Sequence, residues 1–149
     1  MNPFDPKSVL FAKHAQHVVL IHFPIALFLV SVMFDLVSQW KKDRALATVA
    51  YYNLLVASIS TLPVMATGFL AWRRQLEAQP VKGVLLQRIV LGIVSSALIW
   101  LVWWVHFRAY QAPEHDLPRY RWPIELVACV VIASTGHLGG FLSGVNGPG

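Results

Sequence analysis

Apolar residues fall in four long blocks along the chain, separated by short charged segments. The first runs from about Val18 to Trp40 and stops at Lys41, Lys42, Asp43 and Arg44; the second runs from about Leu46 to Trp72 and stops at Arg73 and Arg74. The third covers about Val84 to Phe107, ahead of Arg108, and the fourth covers about Trp122 to Leu142. A helix rises about 1.5 Å per residue, so roughly 20 apolar residues cross about 30 Å of hydrocarbon. Every block reaches that length. The pattern predicts an all-α fold, an integral membrane four-helix bundle with both termini on the same side. Residues 1–17 are then an N-terminal interfacial segment, residues 18–142 a four-span transmembrane domain and residues 143–149 a C-terminal tail. Trp40, Trp72, Trp103, Trp104 and Trp122 sit toward block ends, where amphipathic rings meet lipid headgroups. Pro24 disfavours helical geometry at Phe23, so the first helix is expected to begin or kink there and to aim His22 from a helix start.

Composition strengthens the membrane assignment. Of 149 residues, 56% are hydrophobic and only 13% charged, with a mean hydropathy of +0.57; soluble domains carry about 25% charged residues. So apolar a chain is not disordered, and a lone cysteine, Cys129, excludes a disulfide scaffold and a C-x-x-C-H attachment of c-type haem. Residues 1–17 hold Asp5, Lys13, His14 and His17 without a small-residue cleavage site, so they do not read as a secretory leader, and the first span is expected to stay in the mature protein. The net charge of +5 comes from Lys and Arg scattered in ones and twos, which suits helix flanks rather than nucleic acid. The twelve Lys and Arg divide evenly between the side that holds both termini, here the near end, and the opposite, far end. The excess of cytoplasmic positive charge that normally orients a membrane protein is therefore absent.

The six histidines are placed unevenly. His14, His17 and His22 lie before or at the start of span one and His137 near the end of span four, so threading brings these four to the near end, while His106 and His115 fall at the far end. An ionisable side chain in a membrane is costly unless a partner, cavity or metal compensates it. Two imidazoles on separate helices at similar depth are what bis-histidine ligation of haem b requires, and His22 and His137 meet that condition. The plainer alternative for each is an interfacial residue bonded to water or a carbonyl. Gly136, Gly140 and Gly144 leave one face of the last helix without side-chain bulk, which suits either close helix packing or a porphyrin edge. Arg88, near the start of span three, either snorkels or pairs with a haem propionate. Asp35 and Glu125, toward the far end, either snorkel, pair with Arg44, Arg108 or Arg121, or contact a proton or quinone. Cys129 in mid-span reads as packing.

The motif from His17 to Leu27, H-x-x-x-x-H-F-P at its core, together with Ala66-Thr67-Gly68 and Thr135-Gly136-His137-Leu138-Gly139-Gly140, resembles the bacterial membrane family catalogued as domain of unknown function 2231. The resemblance covers about His14 to Gly144. It implies a multi-pass protein of the bacterial inner membrane; some members of the family are joined to c-type cytochrome domains, which implies redox work and a periplasmic near end. It carries the family's histidine positions onto His17, His22 and His137. Two positions depart from the family's pattern: Val18 stands where proline is common, and Gln87-Arg88 stands where His-Arg is common. If the third-span histidine ligates haem in relatives, His17 or His14 substitutes for it here or one haem is missing.

Four functions compete. The leading one is a cytochrome b-like electron-transfer subunit with one or two haem b groups held by His22, His137, His17 or His14, aided by Arg88, Gly136 and Gly140. It would work in the lipid bilayer with other redox subunits or a cytochrome c, with quinone as a further candidate. The second is a non-haem structural or assembly subunit. The third is a metal permease or sensor using His22, His137 and His17, since imidazole suits several transition metals. A stand-alone enzyme ranks last, because the near-end cluster has no acid and base pair and the chain lacks the usual nucleotide, zinc-protease and serine-hydrolase motifs.

Overall fold

The computed structural model describes residues 13–75, 83–112 and 117–142. They form four helices: α1 (Lys13–Lys41), α2 (Arg44–Gln75), α3 (Val84–Gln111) and α4 (Arg121–Leu142). The bounds agree with the four apolar blocks, each extended by up to a few polar residues. The expectations for residues 1–12, for His115 and for the tail lie outside the described residues, as do those for the side chains of His14 and His17.

One correction concerns Pro24. The helix does not begin at Phe23: it is already formed from Lys13 and continues through Pro24. A proline deletes only one main-chain hydrogen bond, and a long apolar helix tolerates that loss when a neighbouring helix packs over it. Pro24 is buried against the bundle. His22 therefore projects from within the helix rather than from its start.

Cross-helix contacts establish the topology. Ser31 of α1 donates to the Ala50 carbonyl of α2 at 2.6 Å. Between α2 and α3, Trp100 Nε1 donates to Thr61 Oγ1 at 3.1 Å, and Tyr51 stacks on Tyr110 with centroids 4.8 Å apart. Ser95 and Thr135 share a 2.8 Å hydrogen bond between α3 and α4. Rising numbers on one helix meet falling numbers on the next, so the bundle runs up, down, up, down. The first and last described residues consequently share the near end. α1 and α2 share the most extensive interface.

A tight turn joins these two helices. Lys42 takes the left-handed conformation (φ 53°), and the Asp43 amide donates to the Ser38 carbonyl at 2.9 Å, closing the end of α1. Asp43 then caps α2 by accepting from the Ala45 amide at 2.8 Å.

The distribution of side chains is inverted relative to a soluble bundle. Buried stripes recur once per turn: Phe28, Ser31, Asp35 and Ser38 on α1; Ala50, Leu54, Ala57, Ser58 and Thr61 on α2; Ile99, Val102, Val105, His106 and Ala109 on α3; Arg121, Glu125, Ala128 and Ile132 on α4. Large apolar residues such as Met33 (64% exposed) and Leu126 (67%) point outward. Small and hydroxylated residues inside let helices approach closely, and apolar residues outside suit lipid. Among the described residues, three helices are long and apolar enough to cross a membrane: α1 over Leu20–Lys41, α2 over Arg44–Leu70 and α3 over Leu86–Gln111.

Candidate functional site

At the near end, the antiparallel pairing of α1 and α4 puts His22 and His137 at nearly the same level. Ile25 of α1 lies beside Gly136 of α4, its Cδ1 3.7 Å from where a β-carbon on that glycine would stand. Each histidine is within one turn of that contact, and both are exposed. Arg88, also exposed, lies about two turns closer to the near end than the Ser95–Thr135 hydrogen bond. Gly136 therefore faces Ile25 at ordinary contact distance, and a flat ring on that spot would have to displace Ile25. Gly140 stands one turn beyond it on the α4 backbone. The side chains at this end that could hold a cofactor are the imidazoles of His22 and His137 and the guanidinium of Arg88. The seat expected at Gly136 is taken by Ile25, so a cofactor held by His22 and His137 would meet the outside of the α1–α4 pair.

A second group of polar residues occupies the far end. Its histidine, His106, is not the interfacial residue of the plainer alternative: it is only 4% exposed, with Val102 and Val105 beside it on the buried stripe of α3. His106 Nε2 is 2.9 Å from Glu125 Oε1 of α4. Arg121, one turn before Glu125 on the same helix face, donates from Nη1 to Asp35 Oδ2 of α1 at 2.8 Å and lies 3.9 Å from Glu125 Oε1. Of the three arginines offered as partners of Asp35 and Glu125, Arg121 is the one that pairs with Asp35, while the nearest partner of Glu125 is His106. All four residues are at most 4% exposed. The Arg121 guanidinium also sits 4.3 Å from the Trp122 ring centroid.

Local sequence explains the aim of these side chains. Pro123 occupies the first turn of α4, where its missing amide hydrogen costs nothing, so the helix starts at Arg121 and the long arginine side chain turns inward to α1. Glu125 follows at i+4 and Asp35 follows Ser31 at i+4, each on its helix's buried stripe. Asp35, His106 and Glu125 each offer a donor atom within 4.8 Å of the other two. Three polar atoms of the group are buried without a hydrogen-bond partner: Asp35 Oδ1, Arg121 Nε and Glu125 Oε2.

The far-end quartet was only partly legible. Asp35 and Glu125 stood out as carboxylates within apolar blocks, and Arg121 was among their proposed partners. His106 carries a weaker signal: it too lies within an apolar block, at a depth matching Glu125, while four of the six histidines cluster at the near end. Cys129 packs partly buried against the core, as expected.

A family model described as predicted membrane protein (DUF2231) matches residues 13–147. No curated protein and no solved structure matches the chain.

Proposed function

The chain belongs to the DUF2231 family of predicted membrane proteins, and from that premise we propose that it is a membrane-embedded, cytochrome b-like electron-transfer subunit working within a larger redox complex in the bacterial inner membrane. One observation carries the proposal: the antiparallel α1–α4 pair brings His22 and His137 to nearly the same level at one end, with both side chains exposed. Neutral imidazole from His22 and His137 would hold the iron, with His17 and His14 on the same helix as further donors, and Arg88 would pair with a propionate. Bound haem b would supply one-electron transfer at iron. The protein's part is to fix ligand level, set the charge near the ring and leave one side open to a partner. The α4 helix, 22 residues long and antiparallel to its neighbours, would make the fourth crossing.

The test is a dithionite-reduced optical spectrum of protein purified from cells supplied with haem. Sharp α and Soret bands are expected, lost in His22→Ala and His137→Ala and retained in His115→Ala; wild-type protein without such bands would overturn the proposal. A second reading, a structural or assembly subunit, is favoured by the Ile25 contact on Gly136, because helix-to-helix contact there needs no cofactor. That reading expects no haem bands and a stable complex with a partner subunit through the exposed near-end face.

A further inference from the structure

Charge counting at the far end leads to a second site, independent of haem and at the opposite end of the bundle from His22 and His137. With both carboxylates ionised, Arg121 charged and His106 neutral, the quartet carries one uncompensated negative charge in a place at most 4% exposed. An unpaired charge in so poorly solvated a place is strongly disfavoured. The buried, unpartnered oxygens of Asp35 and Glu125 show that no further donor among the described residues offsets it. Around Asp35 the charged or titratable groups are Arg121 and Glu125 from α4 and His106 from α3, while α2 has Ala50 and Leu54 on its buried stripe at this end. Cys129, one turn beyond Glu125, is the remaining titratable side chain near it.

One monovalent cation makes the group neutral, whereas a divalent metal would leave it with a net positive charge beside Arg121. The crevice next to the quartet, walled by Val102, Val105 and Ile124, has no space for a water-sized sphere. A metal needs further ligands and room for them. A proton needs neither.

We infer that Asp35, His106, Arg121 and Glu125 form a single-proton site, through which the bundle exchanges one proton with the aqueous compartment at its far end. Hydronium gives up the proton and becomes water; the proton is held between His106 Nε2 and Glu125 Oε1, 2.9 Å apart. No other bond forms or breaks. Arg121 stays charged throughout and orients both carboxylates.

The distinguishing consequence involves Asp35, which donates nothing to the proton-holding pair. A simple local hydrogen bond between His106 and Glu125 would not respond to Asp35→Asn, whereas a site governed by total charge loses its proton. The experiment uses the full chain in lipid nanodiscs at neutral pH. Histidine 15N NMR reads a doubly protonated His106 ring, assigned with His106→Gln, and infrared difference spectroscopy reads a protonated carboxyl stretch, assigned with Glu125→Gln. Wild-type protein should show one of these signatures, and Asp35→Asn should abolish it. The double variant Asp35→Asn/Arg121→Gln restores the original charge count and should regain it, which keeps the test decisive if the single variant folds poorly. The proposal is overturned if the wild type shows neither signature, or if the signature survives in Asp35→Asn. It is also overturned if the wild type retains one equivalent of zinc through dialysis and Asp35→Asn does not, which would assign the quartet to a metal.

Discussion

Arg121 is the residue on which most of the buried polar structure depends, since its guanidinium bonds Asp35, approaches Glu125 and lies against the Trp122 ring. Removing one partner from a buried ion pair typically costs about 3–5 kcal/mol, because the remaining charge is left uncompensated. Arg121→Met strands Asp35 and takes the nearby cation from Glu125, which keeps His106, and is expected to cost an amount in that range, measured as loss of unfolding free energy in detergent or nanodiscs. Ser31→Ala is a milder case: it removes the hydroxyl bonded to the Ala50 carbonyl but keeps the close approach of α1 and α2. Interhelical hydrogen bonds in membranes average about 0.6 kcal/mol, so the same measurement should register a loss of roughly that size.

Among the elements, the α1–α2 hairpin has the most explicit local code. Its turn demands a left-handed residue, and Lys42 fills that position where glycine is the usual choice. The left-handed conformation costs a side-chain-bearing residue roughly 1–2 kcal/mol, partly offset by glycine's greater freedom in the unfolded chain. Lys42→Gly is therefore expected to stabilise the hairpin by about 0.5–1 kcal/mol. Asp43→Ala acts in the opposite sense: losing the cap on the Ala45 amide should cost about 1 kcal/mol. Thermal unfolding of both variants checks the two signs together. Pro24 teaches a related lesson. Its local preference predicts a helix boundary, yet burial of α1 along the bundle carries the helix across it, because the energy of packing a 29-residue helix outweighs one missing hydrogen bond.

At the scale of the whole molecule the two ends of the bundle have different characters, exposed imidazoles at one and a buried charge network at the other. Under the haem proposal, Arg88→Gln should lower the midpoint potential, because removing a positive charge favours the oxidised, more positive iron; optical redox titration reads the sign. Gly140→Leu should reduce haem occupancy while the helices still insert, whereas under the assembly reading the same change should break association with a neighbouring span or subunit. The sequence by itself determined the all-α membrane fold, the four helices and the family, because block length and polarity are one-dimensional quantities that need no partner to be read. It also marked the buried faces, though faintly: in spans apolar all round, hydrophobic periodicity is weak, and the buried stripe is traced instead by polar spacing such as Ser31, Asp35 and Ser38 or Arg121 and Glu125. Which charges meet was decided only by the tertiary structure. Asp35 lies 86 positions from Arg121, and a pair so distant exists only once helix packing has brought two stripes to the same depth. The same holds for Gly136: small-residue spacing allows either a helix or a ring to approach, and the register of α1 against α4 put Ile25 there.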